Sequence, residues 1–279
     1  MSNIYIAGIA MTVFGRHPMR GVDSLADEAL RGALLDAGCR AEDIGAAYYS
    51  GITNGALQGQ LSIPGQVVFS KIGIEGVPIF NVENACASGS SAVHLAVQSL
   101  KAGACDVALA LGAEKMVVPD KARSFALFEA GWDVSRVEEN FATLAALGEG
   151  IDPPPGSESD KPYSRFMKIY AALCRNHMAA HGTTQRQIAA VSAKNHQHSV
   201  HNPYAQFRQA FTIDEVLAAP PISYPITLPM CAPLSDGAAA AILCTEEGLR
   251  RIGADRQRCI RVAASVIRSF THRRVDEPE

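Results

Sequence analysis

The sequence predicts an α/β fold: a layered β-α-β-α-β-α-β sheet domain with a helical segment inserted into it. Three observations predict it. Short apolar runs alternate with helix-spaced apolar residues from Ile4 to Leu111, the pattern of a mainly parallel sheet covered by helices on both faces. The pattern breaks after Met116 into polar and long helical stretches. It returns after Pro225, where the stretch from Cys231 to Cys244 closes on the small apolar run Ala238-Ala239-Ala240-Ala241-Ile242-Leu243-Cys244.

The elements follow in order. Ile4 to Ala10 is a strand. Asp23-Ser24 offers capping side chains to a helix from Leu25 to Asp36, which Gly38 stops. Ala46 to Ser50 is a second strand, followed by a glycine-rich stretch from Gly51 to Gly59. That stretch lacks both the G-x-G-x-x-G spacing and a following Lys-Ser/Thr, so it does not read as a phosphate loop. Ile63 to Lys71 is helical and closed by Gly73. Val77 to Val82 is a short buried strand, Ser90 to Lys101 a helix stopped by Gly103, and Asp106 to Leu111 a strand.

Asp152-Pro153-Pro154-Pro155-Gly156 breaks any element. Tyr163 to His181 and Thr184 to His198 then read as long helices, the first stopped by Gly182. Residues 117–230 are therefore an inserted segment, and residues 231–258 rejoin residues 1–116 in one sheet domain. Ile260 to Val266 echoes Ile4 to Ala10. The echo is either coincidence or the first strand of a second series, in which case residues 259–279 begin a second half-fold that is truncated.

Composition excludes several classes. The 279 residues are 48% hydrophobic and 19% charged, with a net charge of −3 and no basic block, which argues against nucleic acid as a partner. No apolar run reaches the roughly 18 residues that a membrane span needs. The start, Met1-Ser2-Asn3-Ile4, does not resemble a signal peptide. Seven scattered cysteines without a Cys-x-x-Cys fit a reduced, cytoplasmic setting.

Cys86 is the candidate catalytic residue. It stands in Asn84-Ala85-Cys86-Ala87-Ser88-Gly89-Ser90-Ser91-Ala92, between a strand end and a helix start. The partial positive charge of a helix N-terminus favours a thiolate, and a thiolate attacks carbonyl carbon. The competing reading is a small buried hydrophobe. Two histidine groups invite a metal reading. His177 and His181 share one helix face, but Met178 stands where a zincin has glutamate. His196, His198 and His201 form a His-x-His-x-x-His group.

The segment Asn84 to Ala92 resembles the nucleophile segment of thiolases. Leu111-Gly112-Ala113-Glu114-Lys115-Met116 is similar to the strand end that follows it there. The run from Lys194 to Phe207 resembles the loop-domain signature of sterol-carrier-protein-type thiolases, also known as lipid-transfer proteins. Ser235-Asp236-Gly237-Ala238-Ala239-Ala240-Ala241 resembles the strand that returns to the N-terminal half. The matches keep the family's order and span nearly the whole chain.

The resemblance implies a thiolase-like fold in which an acyl-CoA acylates Cys86 and residues 117–230 form the loop domain that covers the site and binds CoA. It implies coenzyme A as substrate, no resident cofactor, no metal, and a homodimer formed beside the strand Val77 to Val82. The implied activity is thiolytic cleavage of a 3-oxoacyl-CoA or the reverse Claisen condensation, within lipid metabolism. One alternative is a retro-aldolase subunit with a separate OB-fold acyl-CoA-binding partner, which needs no nucleophilic cysteine. Another is a non-catalytic acyl-CoA-binding subunit. The family's second-half motifs, a Gly-His-Pro histidine among them, do not occur, and His272 in Thr271-His272-Arg273 does not match. The expectation is either a truncated or partial version of the family's chain or a separate polypeptide that supplies the second half, with no general base from that half beside Cys86.

Overall fold

A computed structural model describes residues 3–269. Of these, residues 3–124 and 234–269 form one compact unit and residues 125–233 another. The chain opens with β1 (Ile4–Met11), α1 (Val22–Ala37), β2 (Ala46–Ser50), α2 (Thr53–Ala56), α3 (Pro64–Lys71), β3 (Ile79–Val82), α4 (Ser88–Lys101) and β4 (Val107–Lys115). Then come α5 (Lys121–Glu129), α6 (Val137–Ala146), α7 (Arg165–His181), α8 (Gln185–Ser199), α9 (Ile213–Ala218), β5 (Pro221–Ser223) and β6 (Ile226–Thr227). The first unit resumes with β7 (Asp236–Thr245), α10 (Glu246–Ile252) and β8 (Ile260–Arg261).

The sheet order is β3-β2-β4-β7-β1-β8. The expected mainly parallel sheet is in fact mixed. β2 pairs parallel with β3 and β4, but β7 runs antiparallel between β4 and β1. The reason is where the chain leaves and returns. It departs after Lys115 and comes back at Asp236, and these two residues are register partners. A strand that starts at the end where β4 stops can only run the other way. Its small residues Ala238 and Ala240 are buried, as a central strand requires.

Helices cover both faces. On one, Leu25, Ala26, Ala29, Leu30 and Ala33 of α1 recur at helical spacing and pack in one core with Leu109, Leu111 and Ile242. On the other, Ala92, Ala96, Val97 and Leu100 of α4 pack with Tyr48, Ala108, Ala110 and Leu243. The second unit has smaller cores, around Ala171, Ile222 and Ile226, and around Ala189, Ala193 and Val216.

Several ends differ from the sequence reading. α1 starts at Val22 on Gly21, so Asp23 and Ser24 lie inside its first turn instead of capping it. There Asp23 faces the positive helix end and Lys71, and the Ser24 hydroxyl accepts from Arg20 Nε at 3.1 Å. Gly38 does close the helix, with φ 70°, and donates to Leu34 and Leu35 carbonyls. The glycine-rich stretch holds the short α2. β3 is not the fully buried strand expected over Val77 to Val82: it begins at Ile79, lies at the sheet edge, and buries only Val82. The echo of Ile4 to Ala10 is strand only at Ile260–Arg261, where it pairs antiparallel with β1 itself. Residues 270–279, including His272, lie outside the described residues. No helix among the described residues is long and apolar enough to cross a membrane.

Candidate active site

β1 to β4 point one way, so β2, β3 and β4 end together at one edge of the sheet. The turn joining β3 to α4 stands at that edge. It is a single 3₁₀ turn, Ala85–Ala87, and the helix begins at Ser88. Side chains pin it from several directions. The Asn84 amide donates to Ser88 Oγ at 2.8 Å, and that hydroxyl donates to the Ala85 carbonyl at 2.7 Å. Asn84 Nδ2 donates to Ser91 Oγ at 3.0 Å. The Ala87 amide donates to the Asn84 carbonyl at 2.9 Å. The Ala85 amide donates to Glu83 Oε1 at 2.7 Å.

These bonds hold Ala85 at φ 45°. A non-glycine residue in the left-handed region costs roughly 1–2 kcal/mol. Among the described residues only Ile63 shares that conformation without being glycine. Cys86 follows directly and is exposed, while Ser88 and Ser91 beneath it are buried. The small-buried-hydrophobe reading of Cys86 is therefore overturned. Its place two residues before a fourteen-residue helix puts it within reach of that helix's positive end.

Below the turn, Ser50 and Gly112 are register partners on β2 and β4. A Cβ on Gly112 would lie 2.8 Å from Ser50 Oγ, so only glycine fits without a shift. Glu114 is half-buried on β4 and accepts from the Ile52 and Thr53 amides at 2.7 and 3.0 Å. Burial pushes its carboxyl above the usual range, and those hydrogen bonds pull the other way. Next to it Lys115 forms an ion pair with Asp236, with side chains 9% and 0% exposed. Lys115 Nζ also donates to the His17 carbonyl at 2.8 Å, and Asp236 accepts from the Val117 and His17 amides at 2.8 and 3.0 Å.

Sequence reasoning gave Glu83, Lys115 and Asp236 no role. The available signal was a charge at the end of an apolar strand for the last two, and a carboxylate two residues before a turn for the first.

The other thiols are masked. Burial pushes Cys39 up to about 11 and Cys244 up to about 12, the latter helped by its neighbours Cys39 and Cys259. Burial raises Cys105, Cys174, Cys231 and Cys259 as well.

The histidine groups do not converge. His177 and His181 rings lie 4.6 Å apart on α7, and His177 Nδ1 is 2.9 Å from Thr183 Oγ. His196 instead bonds the Pro229 carbonyl at 3.0 Å and packs on Phe211. No group of three or more His, Cys, Asp or Glu among the described residues could hold a metal ion. His94 lies two turns beyond Cys86 on α4, with Nδ1 3.0 Å from Ser265 Oγ.

The geometry meets three comparisons. The family model described as the thiolase N-terminal domain matches residues 4–216. Benzoylsuccinyl-CoA thiolase subunit BbsB of Thauera aromatica is 33% identical over 271 residues, covering 95% of this chain and 61% of that one. Sterol carrier protein 2 of Gallus gallus is 31% identical over 250 residues, covering 89% and 42%. The Acetyl-CoA acetyltransferase of Methanothermobacter thermautotrophicus is 30% identical, covering 90% and 59%. The chain thus spans about half the length of the curated relatives it matches. Among solved structures, the Ltp2-ChsH2(DUF35) aldolase shares the fold, with a TM-score of 0.62 and 23% identity over 89% of this chain and 57% of that chain.

Proposed function

Since the chain belongs to the thiolase family, we propose that it transfers acyl groups between coenzyme A thioesters through an acylated Cys86. The observation that carries this reading is the exposed Cys86 at the start of α4, set apart from six thiols that burial raises. In the degradative direction Sγ bonds the 3-keto carbon of a 3-oxoacyl-CoA. The C2–C3 bond breaks, and the released acetyl-CoA takes up the thiol proton at C2. Coenzyme A then takes the acyl group from Sγ and returns a proton to it. The reverse sequence is a Claisen condensation. Covalent catalysis of this kind splits one difficult step into two easier ones. Two relatives' names, a CoA thiolase subunit and an acetyl-CoA acetyltransferase, support the substrate class. The inserted residues 117–230 are then the CoA-binding loop domain, and residues 1–116 with 231–258 the N-terminal half, in a cytoplasmic enzyme of lipid metabolism.

Intact mass after mixing the protein with acyl-CoA or 3-oxoacyl-CoA tests the reading. The expected result is one acyl adduct, mapped to Cys86 and lost in Cys86→Ser. An adduct that persists in that variant overturns it.

A second reading rests on the structural neighbour's name, which pairs Ltp2 with ChsH2(DUF35) in an aldolase. In it the chain is a retro-aldolase subunit beside a separate OB-fold acyl-CoA-binding partner, and no adduct forms. Both readings include a homodimer through the open edge of β3, where Phe80 is 47% exposed. A mass near one chain at every dilution in light scattering would exclude it.

A further inference from the structure

Glu83 is exposed, belongs to no ion pair described above, and has no part in the proposed acyl transfer. One carboxylate oxygen nonetheless takes the amide of Ala85 at 2.7 Å. Ala85 is the residue with φ 45°, directly before Cys86. We infer that Glu83 is a positioning residue: its carboxylate holds Ala85 in the left-handed conformation and thereby fixes Cys86 in its exposed place at the start of α4.

The argument is one of competing preferences. Left to itself, an alanine returns to negative φ, because the left-handed region crowds its Cβ against the carbonyl oxygen. A change of that torsion swings every atom after it, and Cys86 is the first residue after it. The peptide groups on both sides of Ala85 are tied by side chains. Ser88 Oγ donates to the Ala85 carbonyl at 2.7 Å and accepts the Asn84 amide at 2.8 Å. Ser88 sits on α4 and is buried, so it fixes the helix side of the turn. Glu83 is the tie on the strand side, and a charged acceptor makes it one of the stronger kinds of hydrogen bond. Backbone strain of this kind persists only where its surroundings over-determine it.

This inference rests on the reading of Cys86 as the reactive thiol, and its test is separate from acyl transfer. The alkylation rate of Cys86 by iodoacetamide, followed on the intact protein by peptide mass spectrometry at neutral pH, is the readout. Glu83→Ala slows Cys86 by about tenfold, the population shift that the left-handed penalty implies. Removing a carboxylate beside a thiol would by electrostatics alone speed it, so the sign separates the two effects. Glu83→Met, which keeps the bulk without the acceptor, behaves like Glu83→Ala. Glu83→Gln keeps a carbonyl acceptor without the charge, and labels at least as fast as the parent.

Ala85→Gly added to Glu83→Ala restores the rate, because glycine adopts positive φ without restraint. Parent-like labelling of Glu83→Ala overturns the inference. So does a slow Glu83→Ala that glycine at 85 fails to rescue, or a slow Glu83→Gln. If no acyl adduct forms on Cys86 while this labelling pattern holds, the acyl-transfer reading fails and the positioning role stands.

Discussion

The two ends of the sheet treat the same functional group in opposite ways. At the end where β1 and β4 begin, Cys244 pairs in register with Tyr5 and Val107, Cys105 leads into β4, and Cys39 and Cys259 pack in the same core as Cys244. Burial is the largest cause that raises these thiols, neighbouring acids and thiols add to it, and each holds less thiolate at neutral pH than an ordinary cysteine. At the end where β2, β3 and β4 finish, the lone thiol Cys86 is exposed, and the turn that carries it is tied by hydrogen bonds involving the side chains of Glu83, Asn84 and Ser88. Apolar burial tolerates the loss of a neighbour gradually. A polar network does not, because each deleted partner leaves a buried group without one. The end that carries chemistry is therefore the end where single atoms matter most.

The sharpest way to break that comparison is Asp236→Ala. It strands the Lys115 ammonium, and it deprives the Val117 and His17 amides of their acceptor. Removing one partner of a buried ion pair costs about 3–5 kcal/mol, so the urea unfolding midpoint should fall steeply. The double change Lys115→Met with Asp236→Leu removes the charge problem but not the two orphaned amides, and recovers only part of the loss. Cys244→Ala at the other end removes only a small buried group and should cost roughly 1 kcal/mol. If Asp236→Ala unfolds no earlier than Cys244→Ala, the two ends are not organised differently.

Much of this was legible in the sequence where a local signal sets the structure. Helical spacing and Gly38 gave α1 its last turn, Gly182 that of α7, and Cys86 was placed between a strand and a helix as found. The direction of β7 was not legible, since nothing in Ala238 to Cys244 records that the chain comes back at the end it left. The cap of α1 was misread because Asp23 and Ser24 suit a first turn as well as a cap. Within the candidate site the thiol could be read, but the groups holding it could not. Glu83 acts on an amide two residues away, and only the positive φ of Ala85, a property of the folded backbone, gives that contact meaning. Lys115 and Asp236 lie 121 positions apart, a pairing that only the returned strand creates.

A smaller but more selective effect separates the thiols themselves. With its value pushed up to about 11, Cys39 holds about a hundredfold less thiolate at neutral pH than an ordinary thiol, and Cys244, pushed up to about 12, still less. Competitive alkylation should therefore modify Cys86 well before either, and equal labelling of Cys39 would show that burial does not mask it. The same burial has a consequence for stability. In the unfolded chain these thiols ionise near pH 8.5, whereas in the folded protein they keep their protons further up the scale. The folded state then binds more protons than the unfolded one between about pH 8.5 and 11, so stability falls as pH rises through that window. Below it the contribution is fully present. Replacing Cys39 with alanine should flatten the decline, and a decline of unchanged steepness in Cys39→Ala would assign the loss to other groups.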